Sequence, residues 1–176
     1  MDRYYSLTYP EEYDYGIGYA PDGVEFDLLP EEGDVVSWSP ITFMLKDGGF
    51  ADLQANDLGW LMCSRKLMSI CDGHGSAEDQ LQWLPVVVAA ESGEQRGYFV
   101  LHFIRRPDVV DMERSLLAPG RFVVKPVLSR RAIGPHQLFS FPGGESIVYV
   151  SAKLKGEIEE TSCTGVDFCA ALLSGG

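Results

Sequence analysis

Three histidines are the side chains best suited to proton transfer near neutral pH, and they lie far apart in the sequence. His74 stands in a glycine-rich turn, His102 in an apolar run and His136 directly after a proline. None has a nucleophile at a spacing that indicates a catalytic arrangement, and the G-x-S-x-G motif of many hydrolases is absent. We therefore assign no catalytic residue. A hydrolase would require a fold that gathers one of these histidines with a nucleophile or with two carboxylates.

The cysteines do not form a metal-binding or redox motif. Cys63 and Cys71 are eight residues apart, and Cys163 and Cys169 are six apart. Zinc knuckles and thioredoxin-type sites instead have a gap of two residues between their cysteines. We predict no metal site and no cofactor. Cysteines in this pattern are typical of reduced thiols that are buried as small apolar groups in the cytosol.

Two features of the sequence bear on where the protein acts. The first residues, MDRYYS, lack the basic-then-apolar order of a secretory signal. The longest apolar run, residues 84–90, has the length of a strand and is far shorter than the roughly 20 residues that cross a bilayer. We expect a cytoplasmic protein that is not embedded in a membrane.

The negative charge is concentrated near the amino terminus. The chain has a formal net charge of −12, and residues 1–34 contain ten acidic residues and one basic residue, a local balance of −9. Residues 105–131 show the reverse, with seven basic and three acidic residues, a balance of +4. Because binding to phosphate backbones requires a dominant basic patch, this distribution argues against a nucleic-acid partner.

The acidic residues of the amino-terminal segment are candidate contacts for a basic protein partner. Opposite charges raise the rate of encounter and disfavour wrong partners, and the tyrosines interleaved with these acids are suited to burial in an interface. The alternative is that the segment is only a solvated face that keeps the protein soluble. The candidate partner-binding residues are Glu11, Glu12, Asp14, Asp22, Glu25, Asp27, Glu31, Glu32 and Asp34.

The order of apolar runs predicts an α+β fold. Residues 81–90 and 97–104 are two strand-like runs joined by a polar turn, which indicates a hairpin. Strands are also predicted at 35–38, 41–45, 109–112, 121–128, 137–141, 147–150 and 164–168. Helices are predicted over residues 65–72 and 152–161, capped by Ser64 and Ser151. We expect one domain with a mostly antiparallel sheet of short strands and two or three helices.

The domain can be divided by composition into three parts. Residues 1–49 form an acid-rich segment that packs on the same domain and faces a partner. Residues 50–168 form the α+β core, and residues 169–176 form a tail whose last three residues we expect to fray.

Several short segments of the core, in this order and spacing, resemble a bacterial immunity-protein family typified by a myxobacterial member and formerly described as a domain of unknown function. The resemblance covers about residues 50–168. The matching segments are 59–67 (GWLMCSRKL), 84–86 (LPV), 98–102 (YFVLH), 110–115 (VDMERS), 138–141 (LFSF), 147–155 (IVYVSAKLK) and 164–168 (TGVDF).

This resemblance implies a cytoplasmic, non-enzymatic protein that is encoded beside a polymorphic or secreted toxin and protects the producing cell by binding it. It supplies no catalytic residues. Together with the acidic segment, it favours a protein that occludes the active site of a basic toxin domain, such as a nuclease. One alternative is an adaptor or chaperone-like partner that leaves a secreted effector active, and a less favoured one is a hydrolase.

Overall fold

Short strands dominate the computed structural model, which describes residues 3–75, 80–144 and 146–175. The helices of the described residues are α1 (Arg65–His74), α2 (Arg130–Ile133) and α3 (Ala152–Glu160), with a 3₁₀ turn at Phe26–Leu28. The strands are β1 (Tyr4–Thr8), β2 (Ile17–Tyr19), β3 (Thr42–Lys46), β4 (Leu53–Gln54), β5 (Met62–Ser64), β6 (Leu81–Ala90), β7 (Gln95–Phe103), β8 (Leu116–Leu117), β9 (Val123–Lys125), β10 (Val127–Ser129), β11 (Leu138–Phe139), β12 (Val148–Ser151), β13 (Asp167–Ala170) and β14 (Leu172–Ser174).

Two sheets organise the molecule. The larger has six strands in the order β2-β3-β6-β7-β5-β4, and the smaller has four in the order β11-β12-β1-β13. The pairs β8-β9 and β10-β14 are separate two-stranded ribbons. The strand pairs of the described residues are antiparallel except for β3 with β6 and β10 with β14. The predicted α+β class with a mostly antiparallel sheet in one domain is therefore confirmed.

The central hairpin forms where the sequence predicts it. Strands β6 and β7 pair antiparallel from Leu81 opposite Phe103 to Ala89 opposite Gln95. Both runs are rich in β-branched and aromatic residues, and core clusters pack on both faces of the hairpin, which explains their nearly continuous apolar character. Val86, Val88 and Tyr98 lie on one face of the hairpin and belong to one core cluster. Leu101 and Phe103 lie on the other face and belong to a second cluster.

The two longer helices begin at the predicted caps and cover the second of these faces. The hydroxyl oxygens of Ser64 and Ser151 each accept a hydrogen bond, at 3.2 Å, from the backbone N–H three residues further on. Leu67 of α1 and Leu154 of α3 lie in the core cluster shared with Leu101. The helices therefore pack against apolar side chains of both sheets.

Several predicted strands are shorter than expected or absent. Residues 35–38 form no strand, and Val110 makes only an isolated bridge to Leu128. The predicted strand over 121–128 is divided into β9 and β10 at Pro126, which cannot donate a backbone hydrogen bond. The last predicted strand, 164–168, begins only at Asp167.

The end of the chain is more ordered than a frayed tail. Leu172–Ser174 pairs in parallel with Val127–Ser129, and Ser174 is buried. This pairing joins segments 45 residues apart, and no local pattern in the sequence indicates it. Gly175 follows the strand, and Gly176 lies outside the described residues.

Candidate functional site

Most of the candidate acids lie on one extended segment that crosses the larger sheet. We call residues 20–41 the acidic strap. Its apolar side chains, among them Val24, Leu29, Val35 and Trp38, pack partly buried against the core cluster on one face of the six-stranded sheet. This packing explains why a segment with little regular structure holds a fixed path over the sheet.

Hydrogen bonds at Gly33 hold the strap to the end of β7. The Gly33 N–H donates to the Ile104 carbonyl at 2.8 Å, and His102 Nε2 lies 2.7 Å from the Gly33 carbonyl oxygen. Because a carbonyl can only accept, Nε2 must carry the proton. Gly33 has a φ of 93°, a backbone conformation that favours glycine. Buried His102 thus serves to fix the strap.

A second set of hydrogen bonds replaces the strand that the sequence predicts at 35–38. The Gln82 side chain accepts from the Val35 N–H and donates to the Val35 carbonyl, both at 2.9 Å. Trp38 Nε1 donates to the Pro85 carbonyl at 2.8 Å. At residues 35–38 the strap is therefore tied to β6 through side chains, and a backbone bond from the Val87 N–H to the Ile41 carbonyl, at 2.9 Å, follows at the end of the strap.

Glu31 connects the strap to the smaller sheet. Its carboxylate Oε1 accepts a hydrogen bond of 3.0 Å from the Gly143 N–H, in the turn that follows β11. Its backbone carbonyl accepts a hydrogen bond from the Arg106 guanidinium. The strap is consequently bonded both to the larger sheet and to the turn that follows β11 of the smaller sheet.

The nine candidate acids are all exposed. Among the described residues, Glu31 is the one candidate whose carboxylate makes a hydrogen bond, and none of the nine forms an ion pair. Six of them lie on the strap, and Glu11, Glu12 and Asp14 lie on the segment between β1 and β2. The structure thus leaves these charges available to an external cation.

A ladder of tyrosines orders the segment that carries the other three acids. Tyr9, Tyr13 and Tyr15 make successive edge-to-face contacts with ring centroids 5.4 Å apart. The Tyr13 hydroxyl donates to the Leu53 carbonyl at 2.9 Å and accepts from the Ala55 N–H at 3.0 Å. This segment is thereby anchored along β4, at the edge of the larger sheet.

A pocket of about 470 Å³ opens beside the strap, between the two sheets. Strands β1 and β12 of the smaller sheet contribute Leu7 and Val148 to its walls, and the end of β7 contributes Leu101 and Phe103. The polar residues that line it are Thr8, Tyr9, Asp27, Glu31, His102, Arg106 and Ser146.

This pocket brings together part of what a hydrolase needs. His102 lines it with two carboxylate residues, Asp27 and Glu31, and with Ser146. However, His102 is only 2% exposed and its Nε2 is held by the Gly33 carbonyl, while Glu31 accepts from Gly143. His102 and Glu31 thus hold the strap, and within the described residues no hydrogen bond pairs Ser146 with a base.

The other two histidines lie outside this pocket. His74 Nε2 lies 2.7 Å from the Glu157 carboxylate and joins the end of α1 to α3. The hydrogen bond from His74 lowers the pKa of Glu157. The His136 ring contacts the Phe139 ring with centroids 6.2 Å apart.

The cysteine prediction is correct for two residues and wrong for the others. All four cysteines are free thiols, and Cys63 and Cys71 are buried, but Cys163 is half-buried and Cys169 is exposed. Burial raises the pKa of Cys71 to about 12, so this thiol stays protonated and unreactive. Cys169 lies on β13, an edge strand of the smaller sheet. Within the described ranges, no three His, Cys, Asp or Glu residues are grouped to hold a metal.

A network around Asp52 was not predicted from the sequence. Its carboxylate accepts from the Ser64 hydroxyl at 2.6 Å and from the Thr164 N–H at 2.8 Å, and it lies 3.0 Å from Lys66 Nζ. Burial tends to raise the pKa of Asp52, but these contacts outweigh it and lower the pKa. The Ser64 cap was the one part of this network that the local sequence indicated.

Among the helices of residues 3–75, 80–144 and 146–175, none has the length and apolar character needed to cross a membrane.

Comparison with known protein families identifies the family of this chain. Comparison with curated proteins gives no match. The family model of an immunity protein family, Imm11, matches residues 19–172, which include the whole acidic strap and extend beyond the segments that carry the resemblance. The resemblance to a toxin-immunity family is confirmed, and the chain belongs to the immunity protein family Imm11.

Proposed function

We propose that this protein neutralises a cognate toxin domain by binding it and covering its active site, without catalysing a reaction itself. The observation that carries the proposal is the match to the immunity protein family over residues 19–172. An immunity protein protects by occupying its toxin, and a rigid exposed surface is suited to that task because little conformational entropy is lost on binding.

The acidic strap is the proposed contact surface, together with the acidic segment before it. The full set of proposed contacts remains Glu11, Glu12, Asp14, Asp22, Glu25, Asp27, Glu31, Glu32 and Asp34. Their exposure and the fixed path of the strap support this choice. The family match includes the strap but not Glu11, Glu12 or Asp14, so the strap is the stronger part of the proposal.

The partner proposed from this charge is a basic toxin domain, with a nuclease as the first candidate. A nuclease presents basic side chains to phosphates, and an acidic protein can occupy the same side chains. In this proposal residues 1–49 face the toxin, residues 50–168 form the supporting core, and residues 169–176 follow the core and are not proposed as toxin contacts. The protein acts in the cytoplasm of the producing cell.

An activity titration tests the proposal. The toxin domain encoded beside this protein is assayed on its own substrate with increasing amounts of the purified protein. We expect toxin activity to fall to background at one equivalent. A complex that forms while the toxin stays fully active would indicate the adaptor alternative instead, and the absence of any complex would contradict the proposal.

The hydrolase alternative rests on the presence of His102 in the pocket, and a separate assay addresses it. Purified protein is incubated with ester, amide and phosphate substrates, and the wild type is compared with His102→Ala. We expect no turnover by either protein. Turnover by the wild type that is lost in His102→Ala would support a hydrolase and contradict a purely binding role.

A further inference from the structure

The pocket beside the strap has the size and lining of a binding site. Its volume of about 470 Å³ falls within the range of roughly 300–1,000 Å³ that is typical of ligand sites. Much of its wall is apolar, from Leu7, Leu53, Leu61, Leu101 and Phe103. An occupant that excludes water from these walls gains the free energy of apolar burial.

Two of the polar side chains that line the pocket, His102 and Glu31, are already engaged within the protein. His102 Nε2 bonds to the Gly33 carbonyl, and the Glu31 carboxylate accepts from Gly143. An occupant that buried polar groups against the apolar walls would lose the hydrogen bonds that those groups make to water. These walls therefore fit an apolar group.

The rim of the pocket has the composition of a protein interface. Tyr9 and Phe26 line the pocket and are 39% and 37% exposed, and the Phe26 carbonyl accepts a hydrogen bond of 3.3 Å from Trp60 Nε1. Exposed aromatic side chains around a pocket are typical of the residues that dominate binding energy. Asp27 stands beside Phe26, and its exposed carboxylate makes no hydrogen bond or ion pair within the described part of the chain.

We propose that this pocket is the anchor site for the toxin: it receives an apolar side chain of a basic toxin segment, while a neighbouring lysine or arginine of that segment pairs with Asp27. This inference rests on the proposed function, and it adds where the toxin is held and by what chemistry. The acidic strap supplies the charge that attracts the toxin, and the pocket supplies the apolar contact that slows its dissociation.

Filling the mouth of the pocket tests the anchor. Ser146 is an exposed lining residue, so Ser146→Trp places a large ring there without entering the core. Ser92→Trp, at the exposed turn between β6 and β7, is the matched control. Binding of the adjacent-gene toxin domain is measured by surface plasmon resonance at several salt concentrations. We expect Ser146→Trp to weaken binding by about tenfold or more, mainly through faster dissociation, whereas Ser92→Trp binds like the wild type.

The salt dependence of binding distinguishes the contribution of the pocket from that of the acidic charge. Ser146→Trp should leave the slope of log Kd against log salt unchanged, while Asp27→Asn should make it shallower. Phe26→Ala, which removes a rim aromatic and adds no bulk, should also speed dissociation and provides a second variant if Ser146→Trp is poorly folded. Wild-type binding that neither Ser146→Trp nor Phe26→Ala weakens would overturn the anchor alone. No binding by the wild type would overturn the proposed function as well.

Discussion

Asp52 has a structural role that depends on its negative charge. It lies just before β4 of the larger sheet, and Thr164 lies just before β13 of the smaller one, so its carboxylate joins the two sheets. The same carboxylate accepts from Ser64, which caps α1. One side chain therefore fixes the positions of two sheets and a helix.

Replacing Asp52 with asparagine should destabilise the protein in a way that depends on pH. The pKa of Asp52 is lowered below its ordinary value of 3.8 in the folded state, so its contribution is fully present above that value and is lost as the pH falls through the lower folded pKa. We expect Asp52→Asn to lower the free energy of unfolding by about 2 kcal/mol at pH 7, and by progressively less below about pH 4.

Urea denaturation at a series of pH values measures this difference. Asp47→Asn serves as the control because Asp47 is an exposed turn residue, and its effect should be within about 0.5 kcal/mol of zero. A destabilisation by Asp52→Asn that is constant from pH 7 to pH 3 would show that its charge does not matter.

For single residues, the sequence predicts contacts between neighbours in the chain and misses contacts between residues far apart in it. Ser64 and Ser151 are recognisable as caps because a cap bonds to a backbone group three residues away. Asp52 and Thr164 are 112 residues apart, and their contact depends on how the two sheets are packed. A single sequence contains no local pattern for such a pair.

The acidic strap is an element held mainly by side chains. The paired hydrogen bonds between Gln82 and the Val35 backbone imitate one rung of a sheet, and His102 adds a further bond at Gly33. Removing one such tie should loosen the strap without unfolding the sheets, because β6 and β7 are paired along their full length.

Gln82→Ala should therefore increase the exchange of strap amides selectively. Val35 loses the acceptor of its N–H, and we expect its amide hydrogen to exchange about tenfold faster, while amides in the centre of β7 keep their protection. Hydrogen exchange followed by NMR measures this, with Gln95→Ala at the exposed end of β7 as the control. Equal exchange at Val35 in the wild type and in Gln82→Ala would show that the tie does not hold the strap.

The elements that could be predicted from the sequence are those whose partners are close in the chain. The central hairpin was predicted because its apolar runs are long and its turn is local. Residues 35–38 have the same strand-like composition but form no strand, because their backbone partner is the Gln82 side chain and Pro40 interrupts the run. The parallel pairing of β14 with β10 was not predicted because both segments are short and lie far apart in the sequence, so no local pattern indicates it.

The whole molecule is electrically asymmetric. Residues 1–34 have a balance of −9 and residues 105–131 a balance of +4 in a chain of net charge −12. The sequence was sufficient to identify this asymmetry and the candidate acids. It could not show that residues 20–41 follow a fixed path over the larger sheet, nor that a pocket opens beside them, because both depend on contacts with β6, β7 and the smaller sheet.

The central claim is that the acidic strap binds a basic toxin, and two charge-matched variants test it. Each variant removes three exposed negative charges, so the two differ in where the charge is lost and not in how much. The strap variant carries Asp22→Asn, Glu25→Gln and Glu32→Gln, and the control variant carries Glu91→Gln, Glu113→Gln and Glu160→Gln.

The decisive measurement is the affinity of the wild type and both variants for the toxin domain encoded by the adjacent gene, as a function of salt. We predict that the wild type and the control variant bind tightly at low salt and lose affinity as salt rises. The strap variant should bind at least about tenfold more weakly at low salt and show a shallower salt dependence. Equal affinity and equal salt dependence of the two variants would contradict the account.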